Sequence, residues 1–435
     1  MIVICELQCK GISHEEVNSG FIYGLRLAYP NEKIIFFADK NYFRNLKNIF
    51  KVSGVIINDL ILSPINFSGN KSYSLGGVIK NYLLIKDMFD KLISFHENKV
   101  FFLSMNPVIL YLVKKLKQQD KYKEINCTFV LHGELEDIAN KNYKEAYIPG
   151  IRRGMIKTDY KKSVIKGFRD PKLVLSFAIN RVTVPIRWLD LNYSLIFKKI
   201  FRVKKMMMWQ HSNQYKYISL SPHVTKNASK YLNTKFLNFH TIILPIIFNN
   251  SASAVKNKFI KFAVFGYGDS AQMYRMLTLL SKKKLTRSYE IRIISMDSRG
   301  TEGFANITWL SRGRVLSRRE MEDSARDIDV FINLYDRNRH RFGCSLSIFE
   351  SFSYLKPVLH LSNPGYDYFN KQTKPIGFRC ENMESFVRKM VDMIENFPEY
   401  KSKLAVFKKN MLEYRKEYNI KNNLTALRDS FTFEN

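Results

Sequence analysis

The stretch DVFINLYDRNRHRFGCSLSIFESFSYLKPVLHLSNPGYDY, residues 329–368, reads as strand, loop, helix, strand and loop. Val330, Phe331, Ile332 and Leu334 form a short apolar run of the kind shown by a parallel strand covered on both faces. The loop after it carries Arg337, Arg339 and Arg341; the spacing predicts a helix from about Ser347 to Tyr354, and Pro357 to Leu361 makes a second apolar run. In such a βαβ unit the ligand crevice lies outside the carboxyl ends of the strands. That places the three arginines, Gly343, Ser345, Ser347 and Glu350 at one mouth. A nucleoside diphosphate fits it: a helix N-terminus offers N–H groups and partial positive charge, guanidinium groups add fixed charge, and a carboxylate one turn into the helix can accept ribose hydroxyls.

At these residues the chain resembles the GT-B glycosyltransferases, in particular the retaining family 4 (group 1) type. The C-terminal domain of that type carries E-x7-E ahead of A-M-A-x-G-x-P-V. Its second glutamate corresponds to Glu350, S-F-S-Y-L-K-P-V (351–358) is similar to the next stretch, and Asn363-Pro364-Gly365 sits where the family has a Gly-containing loop. Two positions depart from the pattern: the first glutamate is Phe342, and the glycine before K-P is Leu355. The resemblance implies a donor sugar near the first position and a ribose near Glu350. Ribose binding therefore carries over better than sugar contacts, and retaining or inverting stereochemistry stays open. Ser347-Ile348-Phe349-Glu350 also has capping-box spacing, which would serve only to start the helix. Phe349 and Phe352 read as core residues.

A chain of 435 residues with 46% apolar content exceeds one ordinary core and predicts two domains. Its 70 Lys and Arg against 39 Asp and Glu, a net +31, call for an anionic partner: phosphorylated ligand, anionic membrane or nucleic acid. No helix-turn-helix, zinc-finger or RNP-type pattern supports the last of these. The five cysteines are scattered and lack paired C-x-x-C spacing, which argues against a disulfide framework and zinc and for a cytoplasmic setting. Neither a signal-peptide pattern nor an apolar run of about 18 residues is present.

In chain order, Ile2 to Cys5 reads as a first buried strand, and a polar loop from Gly11 to Gly20 leads to a helix beginning near Phe21. Lys33 to Ala38, Val55 to Ile57, Val100 to Leu103 and Thr128 to Leu131 read as further strands with helix-length intervals, the alternation of a doubly wound parallel sheet. In GT-B proteins the loop after the first strand faces the cleft, which nominates Ser19 and Gly20; a cap and a turn are the plainer reading of the pair. His132 and Glu134 follow a strand's carboxyl end, where an imidazole can act as general base or bind sugar hydroxyls. Residues 151–210 hold fifteen Lys or Arg against three Asp, interleaved with Trp188, Leu191, Phe197, Phe201 and Trp209. Such a segment can lie in the interface of an anionic bilayer, and it can equally be an amphipathic helix with a solvated face.

Lys216 to Ser221 is read as a strand ending at Ser221-Pro222-His223, Thr241 to Ile247 as the last strand of the first domain, and 249–257 as a linker. Phe259 to Phe265 then leads into Gly266-Tyr267-Gly268-Asp269-Ser270-Ala271 and a helix, a G-x-G-x-x-A turn that also fits a dinucleotide site. Ser317 and Glu320 form a capping box for a helix to Asp329. The terminal helices span Met383 to Phe397 and Tyr400 to about Leu427.

Together these features predict an α/β chain of two Rossmann-like, doubly wound parallel-sheet domains facing a cleft, the GT-B arrangement. Residues 1–248 form the acceptor-side domain with the basic insertion, and 258–405 the nucleotide-sugar domain. Residues 406–435 would be a helix that packs back on the first domain. The resemblance implies transfer of a sugar from a nucleotide-sugar to a hydroxyl of a bacterial-type surface glycan, lipopolysaccharide O-antigen or capsule, on an acceptor that can be lipid-linked. No metal or other cofactor is expected, and the setting is the cytoplasm or the inner face of the membrane. His132 and Glu350 are the catalytic candidates; Gly266, Gly268, Arg337, Arg339, Arg341, Gly343, Ser345, Ser347 and Glu350 would hold the donor, and Ser19, Gly20 and Glu134 line the acceptor side. Two other classes stay open, an NAD(P)-dependent oxidoreductase or nucleotide-sugar epimerase using the Gly266 to Gly268 turn, and a non-catalytic basic binding protein.

Overall fold

The computed structural model describes residues 1–9, 14–65, 75–139, 201–248, 257–265, 269–294, 303–311, 316–335 and 337–433. Residues 249–256 of the expected linker, the Gly266 to Gly268 turn and residues 151–200 of the basic segment lie outside these. Seven strands make the first sheet: β1 Ile2–Cys5, β2 Ile34–Asp39, β3 Leu60–Ile65, β4 Lys99–Phe102, β5 Asn126–Leu131, β6 Tyr215–Ser219 and β7 Phe239–Thr241. Six make the second: β8 Ile260–Val264, β9 Tyr289–Ile293, β10 Ile307–Trp309, β11 Val330–Asn333, β12 Val358–Leu361 and β13 Gly377–Cys380. Among the described residues the orders are β3-β2-β1-β4-β5-β6-β7 and β10-β9-β8-β11-β12-β13, with every strand pairing parallel. Each order reverses beside the sheet's first strand, between β1 and β4 and between β8 and β11, and a crevice opens at such a point.

The apolar runs follow from burial on both faces. Ile2 and Ile4 enter one core while Val3 and Cys5 enter the other; Phe262 and Val264 face one side of the second sheet and Ala263 and Phe265 the other. Edge strands lack this signal. Val55 to Ile57 lies outside any strand, and β3 instead uses Leu60–Ile65, a largely unburied strand that tolerates Pro64 because an edge leaves one side of its ladder unpaired. Only Phe239–Thr241 of the expected last strand joins the sheet by regular pairing; the run continues beside the exit of β6, with Ile242 N–H donating to Ser219 and Leu244 N–H to Leu220.

The first helix is Glu15–Ala28, six residues earlier than its predicted start, with Glu15 and Glu16 in the first turn where the helix dipole favours negative charge. Ser19 and Gly20 are therefore helical, and a Cβ at Gly20 would overlap the Pro245 carbonyl. The Ser317 and Glu320 capping box is present on the helix Arg318–Arg326. Toward the end, Phe397–Glu417 stops at Tyr418, a 3-10 turn follows at Ile420–Asn423, and Leu424–Phe431 resumes. The break falls where the Asn419 side chain accepts the Lys421 amide. The helix Pro364–Phe369 and β13 were not foreseen.

Leu424–Phe431 rests on the first domain. Thr128 Oγ1 donates to the Ser430 carbonyl at 3.0 Å, Lys216 Nζ to the Asp429 carbonyl at 2.7 Å and Arg428 Nε to the Ala28 carbonyl at 3.1 Å, while Phe431 stacks on Phe101. One core cluster consequently runs from Ile4 and Phe101 through Phe349 and Phe352 to Tyr414 and Phe431.

Candidate active site

The helix Leu346–Tyr354 is capped at Ser345, whose side chain bonds no helix amide. Ser345 Oγ instead meets Ser347 Oγ at 2.7 Å, and Ser347 Oγ meets the Tyr366 hydroxyl at 2.8 Å. The capping-box reading of Ser347 and Glu350 is thereby corrected. Ser347 lies inside the helix and its hydroxyl is used sideways, so the first amides carry no side-chain cap. Glu350, 8% exposed, sits one turn further in, where its charge acts on the hydroxyls of Tyr335 and Tyr366. Phe349 and Phe352 are core, packed on Phe369 and Tyr414.

The three arginines do not converge. Arg337 is exposed, Arg339 reaches toward Asp269 at 3.5 Å, and Arg341 turns away to donate to the Tyr231 hydroxyl at 3.0 Å. The cause is the path of the loop, which is tied to the first domain. Asn227 donates to the Arg341 carbonyl at 2.9 Å, the Phe342 amide donates to Glu136 Oε1 at 2.8 Å, and the Phe342 ring is buried in the first domain's core. Gly343 follows immediately; a Cβ there would lie 2.8 Å from the His132 carbonyl oxygen, so only glycine allows this approach of the two backbones. From the other side Asn363 Nδ2 donates to the Arg339 carbonyl at 2.6 Å.

His132 stands at the end of β5 as the sequence placed it, with its ring committed. One nitrogen, Nε2, is 2.6 Å from the Leu103 carbonyl, and the ring packs on His14 with centroids 4.3 Å apart. Burial, with the His14 ring beside it, pushes the imidazole down to about 3, so at neutral pH it is a neutral donor to a carbonyl. Glu134 accepts the backbone amides of His132 and Gly133 at 2.7 and 3.0 Å, and burial raises its carboxyl to about 7. A carboxyl group tuned to neutrality at a strand's carboxyl end is the commoner signature of a proton-transfer group. Ser19 is fully buried with its hydroxyl on the Glu16 carbonyl at 2.8 Å, and Gly20 is pressed on the backbone at Pro245; neither faces the mouth.

Several residues here were not singled out in the sequence. Glu6, fully buried at the end of β1, accepts the amides of Gln8 and Cys9 at 2.8 and 3.0 Å, Asn18 Nδ2 at 2.8 Å and the Ser104 hydroxyl. It fixes the chain's exit from β1, beyond which His14 joins His132. Glu136, Asn227 and Tyr231 receive the loop, and His223 projects from the helix Pro222–Ala228 against Gly365. Glu6 follows directly on an apolar run and His223 on the end of a strand read from the sequence, signals that were available; the others hold partners more than 100 residues away, which no local pattern shows. A surface cavity of about 520 Å³ beside Pro222, Thr225, Lys226, Thr241, Ile243 and Asn423 contains none of these site groups.

No family model matches the sequence, and no curated protein matches it. Solved structures do. A glycosyltransferase from Rickettsia africae aligns over 99% of this chain and 97% of its own, with 12% identity and a TM-score of 0.57. The lipopolysaccharide outer core galactosyltransferase WaaB aligns over 99% and 98%, with 10% identity and a TM-score of 0.55. HepE of Anabaena, solved in complex with UDP and glucose, aligns over 99% of both chains, with 9% identity and a TM-score of 0.55. At these identities the likeness is one of fold, and the fold is GT-B: two Rossmann-like domains with parallel sheets.

Proposed function

We propose that this chain is a glycosyltransferase that moves a sugar from a nucleotide-sugar to a hydroxyl of a surface glycan of bacterial type, without a metal ion. The observation that carries this reading is the uncapped start of the helix Leu346–Tyr354, with buried Glu350 one turn inside it, following β11 on a chain whose Gly343 meets the backbone of His132 and Gly133 just before Glu134. Helix amides are suited to the diphosphate and the carboxylate to ribose hydroxyls. In the step itself the acceptor oxygen bonds to the anomeric carbon, the bond from that carbon to the phosphate oxygen breaks, and the diphosphate leaves with the electron pair. Glu134 takes the acceptor proton, and His132 serves as a support for the loop at Gly343. Arg337, exposed at the mouth, is the arginine left to turn toward the leaving group, since Arg339 pairs with Asp269 and Arg341 is engaged by Tyr231.

The acceptor reading rests on charge and surface. The helix Val203–Met208 buries Val203, Met206 and Met207 while Arg202, Lys204 and Lys205 face solvent, so the described end of the basic segment is amphipathic. No helix among the described residues is long and apolar enough to cross a membrane. A lipid-linked glycan presented at an anionic surface suits such a protein.

The test is a thermal-shift screen with UDP, GDP, CMP, TDP and NAD(P), because a ligand bound only by the native state raises its melting temperature. Stabilisation by one nucleoside diphosphate, followed by hydrolysis or transfer of the matching sugar nucleotide, is expected. Stabilisation by NAD(P) alone overturns the proposal.

A further inference from the structure

His223 reaches from the first domain into the second, and nothing in the proposed reaction yet uses it. It follows β6 and is 5% exposed. Its ring lies against Tyr368, with centroids 5.8 Å apart, and its Cε1 and Nε2 stand 3.6 Å from where a Cβ on Gly365 would be. The carbonyls of His340 and Gly343, the latter two residues before the helix cap Ser345, also border the ring. Ser221 Oγ lies 2.7 Å from Nδ1, whereas buried Nε2 has no hydrogen-bond partner. A buried polar nitrogen without a partner carries a desolvation penalty, so its place beside the chain leading into an uncapped helix start is informative.

We infer that His223 Nε2–H is a ligand of the donor's sugar-bearing phosphate, supplied from the opposite domain at the start of the helix Leu346–Tyr354. The proton belongs on Nε2 because the Ser221 hydroxyl can donate to Nδ1. The phosphate is the sugar-bearing one for a geometric reason. With ribose held inside the second domain at Glu350, the end of the donor that faces the first domain is the phosphate nearest the transferred sugar. A neutral N–H there strengthens its hydrogen bond as charge develops on the leaving diphosphate.

The inference rests on the nucleotide-sugar reading, and titration calorimetry separates the two. UDP, GDP, CDP and TDP, each beside its monophosphate, are titrated into wild type, His223→Ala and His223→Gln. In His223→Ala the preferred diphosphate is expected to bind about tenfold more weakly, the usual scale for one hydrogen bond to a charged group. Its monophosphate should bind nearly unchanged, and His223→Gln, which keeps a donor at the same reach, should recover most of the loss. Wild type that binds no diphosphate defeats the nucleotide-sugar reading itself. Equal diphosphate affinity in wild type and His223→Ala, or an equal loss for diphosphate and monophosphate, defeats only this inference. If His223→Ala does not fold, nitrogen NMR of histidine-labelled wild type decides: the Nε2 resonance of His223 is expected to shift with the diphosphate and not with the monophosphate, and an unmoved resonance overturns the assignment.

Discussion

Buried Glu350 and half-buried Glu134 are carboxyl groups with different work, and their variants should separate. Glu350→Gln keeps the shape of a side chain held inside a helix, so the protein is expected to fold with a melting temperature near that of wild type while nucleoside diphosphate affinity falls at least about tenfold. Unchanged affinity would reduce Glu350 to a structural member of the Tyr335 and Tyr366 cluster. For Glu134 the sign follows from burial, which raises its folded-state value from 4.5 to about 7. The folded state resists the charge, so this group's contribution to stability is full below pH 4.5 and is lost as pH rises to about 7. Glu134→Gln should therefore gain on wild type in melts at pH 8 compared with pH 4, and should lose transfer activity at pH 8, where the wild-type base is ionised. Wild-type activity should climb through about pH 7 as the base is freed; a flat profile would remove Glu134 from proton transfer. Glu350 was legible because it sits in a motif that several flanking residues share. The value of Glu134 over His132 was not, because it depends on the Leu103 carbonyl that occupies the histidine ring.

Leu355 shows how an element can break a sequence rule and keep its place. It ends the helix Leu346–Tyr354 in the left-handed region, φ 51°, where the resembling family has glycine. That conformation costs a non-glycine residue about 1–2 kcal/mol, yet the side chain is 9% exposed within the shared core cluster. Loss of a buried leucine costs about 2–5 kcal/mol, so packing outweighs strain. The order of stability is then expected to be wild type, Leu355→Gly, Leu355→Ala, the reverse of the usual ranking of glycine and alanine, since alanine loses the packing and retains the strain. Denaturant melts that place alanine above glycine would show that the left-handed cap is not strained. Gly20→Ala belongs to the same scale: the Cβ meets backbone at Pro245 that cannot rotate aside, and a loss of about 1–3 kcal/mol is expected. Helix and strand identities in the two cores were readable from apolar runs because both sheet faces are covered. The first helix was displaced in the reading because Ser19 and Gly20 look like a turn, and only the distant Pro245 explains why a glycine is needed mid-helix.

At the scale of the molecule, the described contacts between the two domains form a seam, and four imidazoles lie at or near it: His14 against His132, and His223 near His340. Burial holds His132 at about 3 and His223 and His340 at about 4. A histidine depressed in the folded state contributes fully above its unfolded value of 6.5, and that contribution is lost as pH falls toward the folded value. From pH 6.5 to 5 each of the three lowest costs about 2 kcal/mol. The carboxyls at the same seam oppose this. Glu134 and Glu136 are raised by burial and regain stability as they protonate, while Glu6, Arg339 and Arg341 also bear on it electrostatically. Glu134 offsets roughly one histidine, so the imidazoles prevail and acid should loosen the seam before it unfolds either sheet. The Phe342 amide reports this directly, since its hydrogen bond to Glu136 joins the domains. Its exchange with deuterium, corrected for intrinsic rate, should quicken between pH 7 and 5 far more than that of the Val3 or Phe262 amides inside the sheets, and His132→Asn should flatten the response in part. Protection at Phe342 that is constant over this range would show that the histidines are accommodated without strain and that opening for donor entry draws on some other contact.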